Sequence, residues 1–288
     1  MNWKNEKQIA ANTKHYSKRH GALRALLGGI GTGNISLDAC GALQDFELFG
    51  HPDRGLKLPY CFYALWYRMA DGTQDSRVLE AQPAPENTRD FYPSGSLMGL
   101  KRFEDSDFTC QYPFYQIEFR DGGMPLRIKL EAYTPFIPLD THWSGVPMFQ
   151  CRYTVENPTD QDAEATVAGS FFNACGFRAF DGFDYLEQEG ERFSEIRSFA
   201  GGRGIQMGVN GLDPMDTANG TLAIACLGNN VMVKPHWQFG GWWDGAEAFW
   251  NEFSTEGKLK PEVKGPGKPV EFERFVASVA QQKVIPAG

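Results

Sequence analysis

From Leu58 onward the chain is written in short apolar or alternating runs, each closed by Gly, Pro, Asn or Asp, a pattern that few folds other than antiparallel β-structure accommodate. A strand points successive side chains to opposite faces, so a run of period two buries one face and leaves the other wet. Tyr112 to Arg120 alternates aromatic and polar residues before Asp121-Gly122-Gly123, where glycine supplies the positive φ of a tight connection. Leu126 to Tyr133 alternates again, with Leu126, Ile128, Leu130 and Ala132 set against Arg127, Lys129, Glu131 and Tyr133. Together the two runs predict a hairpin with one buried face. Met148 to Glu156 groups Phe149, Cys151, Tyr153 and Val155 before Asn157-Pro158-Thr159-Asp160, and Glu164 to Phe172 is expected to return beside it as part of one meander. Pro59 to Arg68, dense in Tyr, Phe, Leu and Trp, reads as a strand buried on both faces and central in its sheet.

Helical spacing is scarce. Trp243, Ala246, Phe249, Trp250 and Phe253 recur at it and stop before Gly257, predicting one helix that lies on the sheets or plugs an end. Lys258 to Lys268 reads as an exposed loop, and two last strands are expected between Val270 and Ile285. The expected class is all-β: a large two-sheet antiparallel β-sandwich with one or two short helices. It spans residues 25–288, after a polar N-terminal extension over 1–24. With 42% hydrophobic residues the 288-residue chain has apolar material for one such core. Its last residues, Pro286-Ala287-Gly288, read as a turn with no return strand, so a C-terminal truncation is expected.

A net charge of -8 repels phosphate, and the one basic run, Lys14 to His20, is short, so nucleic acid is not an expected partner. Met1 to Gly21 holds no apolar stretch of signal-peptide or membrane-spanning length, which points to a cytoplasmic protein or an absent leader, and to no membrane span. The six cysteines lie far apart without a CxxC pair, so free thiols are expected, and neither a metal nor a cofactor.

Three features carry candidate chemistry. Gly28-Gly29-Ile30-Gly31-Thr32-Gly33 could cradle a phosphate if it joined a strand to a helix. Ile35 to Phe49 reads instead as two short strands split at Gly41, so the expected role is a tight turn whose backbone passes close to another surface. Asp45, Glu47, Asp53, Asp105 and Asp107 supply the residue type that glycoside hydrolysis uses in pairs, but solvated turns and strand faces account for them. His51 and His142 have no partner at ligand spacing. Trp237, Phe239, Trp242 and Trp243 could stack on sugars, although packing in a core or against another domain is favoured.

The opening LLGGIGTGNISLDACGALQDFELFGHPDRG, followed by LPYCFYALW, resembles the N-terminal segment of glycoside hydrolase family 116. YPFYQIEFRDGGMPLRIKLEAYTPFIPLD and GVPMFQCRYTVENPTD resemble the next parts of the same domain in the same order. The resemblance implies a sandwich preceding an (α/α)6 barrel, which carries the Glu nucleophile and Asp acid/base of a retaining β-glycosidase. No part of this chain corresponds to that barrel, so no catalytic residue is assigned. The implied function is a non-catalytic domain of a β-glucosidase or glucosylceramidase-like enzyme, packing against and supporting a helical catalytic domain in cis or in trans. The implied contact residues are Gly28, Gly29, Gly31, Thr32, Gly33, Asp53, Arg54, Trp237, Trp242 and Trp243. Leu37-Asp38-Ala39-Cys40-Gly41 stands where the animal glucosylceramidases carry an Arg- and Trp-containing segment. That departure favours the microbial branch and a β-glucoside over glucosylceramide. The alternative is an autonomous carbohydrate-binding module, which needs the Trp237 to Trp243 rings exposed in a line; a free-standing hydrolase with its own acid pair ranks last.

Overall fold

Antiparallel pairing joins the alternating runs into sheets, in a computed structural model that describes residues 13–51, 54–55, 57–84, 99–180, 186–238, 245–260 and 276–288. The first sheet has the order β1 (Lys14–Ser17), β7 (Asp105–Gln111), β8 (Phe114–Arg120), β9 (Arg127–Tyr133), β10 (Gln150–Glu156). The expected hairpin is β8–β9, with Phe114 opposite Tyr133 and Phe119 opposite Ile128. Tyr115, Ile117 and Phe119 join Ile128, Leu130 and Ala132 in the core, while Gln116, Glu118 and Arg120 face water.

The second sheet runs β17 (Met232–Lys234), β18 (Val276–Ile285), β11 (Ala163–Phe172), β5 (Phe62–Met69), β6 (Gln74–Val78). β5 is buried on both faces, as its composition predicts. Tyr63 meets Tyr153 of β10 across the core with ring centroids 5.2 Å apart, and on the opposite face Phe62 meets Phe249 at 5.9 Å. β10 and β11 do not form one meander, because they part into different sheets. The reason is side-chain size: β11 presents Ala165, Ala168, Gly169 and Ser170, small enough to be enclosed between β5 and β18, whereas half-exposed β10 ends the first sheet. Asn157 is buried at the crossing and donates from Nδ2 to the carbonyls of Gln161 at 2.6 Å and of Ile285 and Pro286 at 3.2 Å. Of the stretch from Val270 to Ile285, where two last strands are expected, residues 270–275 lie outside the described residues and the rest is one strand, β18, ten residues long.

Three smaller groups complete the fold: β2 (Ala25–Leu27), β3 (Asn34–Leu37) and β4 (Leu43–Glu47); β14 (Glu191–Phe199), β15 (Gly202–Asn210) and β16 (Thr221–Leu227); and a ribbon of β12 (Phe177–Phe180) with β13 (Leu186–Gln188). The described residues therefore make a mostly β structure of small antiparallel sheets, four of them with three to five strands, where two sheets were expected. The extra β14–β16 sheet has a physical cause, since Ile205, Met207 and Ile224 need an apolar partner and find it in Ala277 and Val279 of β18, as a second small core.

The described residues hold two helices, α1 (Thr141–Ser144) and α2 (Gly245–Glu256). α2 is the predicted helix, burying Phe249 and Phe253; Trp243 lies outside the described residues. It ends at Gly257, where φ is +64° and a Cβ would sit 2.3 Å from Cε3 of Trp66. No described helix is long and apolar enough to cross a membrane. All six cysteines are free, and burial pushes Cys61, Cys151 and Cys175 up to about 12, keeping these thiols protonated and unreactive at neutral pH.

Candidate functional site

The glycine-rich loop joins β2 to β3, two antiparallel strands, and not a strand to a helix. What its glycines permit is contact with other backbone. A Cβ on Gly29 would lie 2.4 Å from the carbonyl oxygen of Val146, and one on Gly33 would lie 2.5 Å from that of Glu47. Gly28, Gly31 and Gly33 also hold positive φ. Hydrogen bonds fix the loop: Gly28 N donates to Thr134 Oγ1 at 2.8 Å, Ile30 N to the Ser144 carbonyl at 2.8 Å, and Thr32 Oγ1 to the Gly29 carbonyl at 2.9 Å.

The surface it packs on is α1 and the residues after it. Asp140 caps α1 by accepting from Trp143 N at 3.0 Å, and Ser144 Oγ bonds both the N–H and the carbonyl of Ile137. That framework turns large apolar side chains outward. Ile30 is 62% exposed, Phe114 59% and Trp143 54%, with Tyr112, Ile137, Leu139 and Met148 exposed beside them. Tyr112 also meets Phe136 at 5.2 Å, and Phe114 meets Tyr133 at 5.9 Å, linking the end of β8 to the same region. Large apolar side chains are thus exposed together on a scaffold held by backbone contacts.

Of the other residues singled out from sequence, Arg54 comes to this side of the molecule. Its Nε is 3.9 Å from Oε1 of Glu47, the residue whose carbonyl abuts Gly33. Asp53, Phe239, Trp242 and Trp243 lie outside the described residues. Trp237 is elsewhere, 5% exposed, stacked on Phe249 with centroids 4.2 Å apart and planes 7° apart, and donating from Nε1 to Ser278 Oγ at 2.7 Å. Neither ring face is open to a sugar. Asp45 is buried against Arg24 at 3.0 Å, and Asp107 is shared between His15 at 2.9 Å and Arg120 at 2.8 Å. Glu47 also accepts from Asn34 Nδ2 at 3.0 Å, and Asp105 accepts from Ser106 N at 2.9 Å. These acids are thus engaged with cations and amides. Among the described residues no group of three His, Cys, Asp or Glu is placed to hold a metal.

Asp38, in the β3–β4 turn, is the acid that its surroundings alter most in this region. Oδ1 accepts from Cys40 N at 2.8 Å and Ala42 N at 2.9 Å, and Oδ2 accepts from Gln44 Nε2 at 3.0 Å. Burial, with Glu80 adding, outweighs those bonds and pushes its carboxyl up to about 6 from the ordinary 3.8. The folded state then binds the proton more tightly than the unfolded chain, so stability is greatest below the unfolded value and falls as pH rises from about 4 to about 6. The fall is on the order of 3 kcal/mol, at about 1.4 kcal/mol per pKa unit. Asp38→Asn should flatten that part of the curve; urea denaturation of both proteins across the range checks it, and parallel curves would refute the assignment.

Residues 25–288 match the family described as beta-glucosidase 2, glycosyl-hydrolase family 116 N-term. Among curated proteins nothing matches the chain.

Proposed function

The chain belongs to the glycosyl-hydrolase family 116 N-terminal family, and on that premise we propose that it is the non-catalytic β-domain of a β-glucosidase, packing through the glycine-loop face against a helical catalytic domain. The observation that carries this reading is the apolar face itself: Ile30 and Trp143 stand out from a loop and a capped turn that their own backbone contacts hold in place, and Phe114 from the start of β8. Exposed apolar groups on a fixed frame lose little freedom when a partner covers them. The two five-stranded sheets, which meet at Tyr63 and Tyr153, serve as the layers of a β-sandwich that supports this face. The substrate class of the assembled enzyme is a β-glucoside, in keeping with the matched family's description.

The test pairs this chain with a separately produced helical domain of a family 116 β-glucosidase and follows a chromogenic β-glucoside. The chain alone should give no turnover, and it should bind the helical domain and raise its activity. Ile30→Asp and Trp143→Asp should weaken that association at least roughly tenfold, because each places a charge in a desolvated contact. Both side chains already face water, so thermal stability should be retained. Turnover by the chain alone, or association indifferent to both changes, would overturn the proposal.

A further inference from the structure

A groove of about 390 Å³ opens where the end of β6 meets α2, on the sheet face that α2 covers, and is lined among others by Gln74, Asp75, Ser76, Lys101, Trp250 and Ser254. It lies in a size range that small ligands occupy. Ser76, 7% exposed, has a hydroxyl with no hydrogen-bond partner. Behind it the register places Trp66 directly opposite Ser76 and Thr166 directly opposite Trp66, so the three share one sheet face. Trp66 Nε1 and Thr166 Oγ1 also have no partner, although the two residues are 1% and 0% exposed. Three adjacent buried polar groups without partners are costly, and a row of them leading from a groove calls for hydroxyls or water to satisfy it.

The groove's charge is balanced, since Asp75 accepts from Lys101 Nζ at 2.6 Å and lies 3.2 Å from Arg77, itself paired with Asp121. Neither an anion nor a cation gains from entering. The half-buried indole of Trp250, set 6.3 Å from Phe253, offers an apolar plate, while Gln74, Ser76 and Ser254 offer donors and acceptors around it. An aromatic plate ringed by neutral hydrogen-bonding groups suits a pyranose, which has an apolar face and an edge of hydroxyls. We infer that this groove is a saccharide-binding subsite, with Trp250 as its stacking plate and Gln74 and Ser76 as its hydroxyl partners. It shares no lining residue with the glycine-loop face and does not depend on which domain packs there.

The experiment titrates the 288-residue chain with cellobiose, and with inorganic phosphate as the ionic comparison, by calorimetry and tryptophan fluorescence. Saturable binding of cellobiose and none of phosphate is expected. Trp250→Ala should weaken it at least about tenfold while Trp250→Phe, which keeps a ring on the same packing, retains most of it. Gln74→Ala, an exposed position whose change leaves the melting temperature alone, should weaken it several-fold. No saturable binding would mean that water alone serves the buried row; phosphate binding, or cellobiose binding unmoved by Trp250→Ala and Gln74→Ala, would likewise overturn the assignment.

Discussion

Trp237→Ala is expected to destabilise the protein by about 3–5 kcal/mol, the range for removing a large buried aromatic. The indole is stacked on Phe249 and edged by Phe62 at 6.1 Å and Tyr60 at 5.3 Å, so its loss opens a void between β5 and α2 that none of these rings can fill without leaving its rotamer. The change also removes the partner of Ser278, which shares its hydroxyl with Ser170 at 2.7 Å inside the second sheet. Trp237→Phe should recover most of the packing and none of that hydrogen bond. Urea denaturation measures both; a loss below about 1 kcal/mol for the alanine variant would contradict the buried stack. Fluorescence from Trp237 should also be insensitive to added sugars, in contrast to that from Trp250.

Glu252→Ala should cost a similar amount for a different reason. Lys234 on β17 has a side chain only 3% exposed, and Glu252 on α2 meets its ammonium with both oxygens, at 2.8 and 3.1 Å. Truncating the acid leaves a buried charge with one long contact, 3.5 Å to the Lys260 carbonyl, and removes the acceptor for Lys260 N. Breaking a buried pair from one side costs about 3–5 kcal/mol, whereas replacing both partners with apolar groups is often neutral. The double variant Lys234→Met/Glu252→Leu should therefore regain most of the stability. If it is no better than Glu252→Ala alone, the pair contributes through geometry and not through charge burial.

How far the sequence carries can be judged from individual elements. The β8–β9 hairpin was legible because alternation and the Asp121-Gly122-Gly123 turn lie within one local stretch, and α2 was legible because Phe249 and Phe253 keep helical spacing up to Gly257. Sheet membership of β10 and β11 was not, since it depends on which distant strand accepts each. α1 is a single turn, too short for any periodicity, and only Asp140 three residues before Trp143 signals it. The glycine loop could be read as a close-approach turn, but the apolar face could not: Ile30 meets Ser144 only because of contacts between segments more than a hundred residues apart in the chain. For Trp237, residue type alone leaves open whether a ring faces solvent or core, and only packing against Phe249 decides.

The order of the second sheet also bears on how the chain acquires its structure during synthesis. Its middle strands are joined by contacts such as Cys61 with Phe172, 111 residues apart, and Ser170 with Ser278, 108 apart. Loop closure of that span is slow, and in this sheet it is β11 that waits with one edge unmatched until β18 emerges. A ribosome-bound chain therefore cannot complete this sheet until Val276–Ile285 has emerged, and in that interval the β11 edge is open to neighbouring chains. Chaperone demand and temperature-sensitive yield should accordingly track the supply of β18 more closely than the stability of the finished fold.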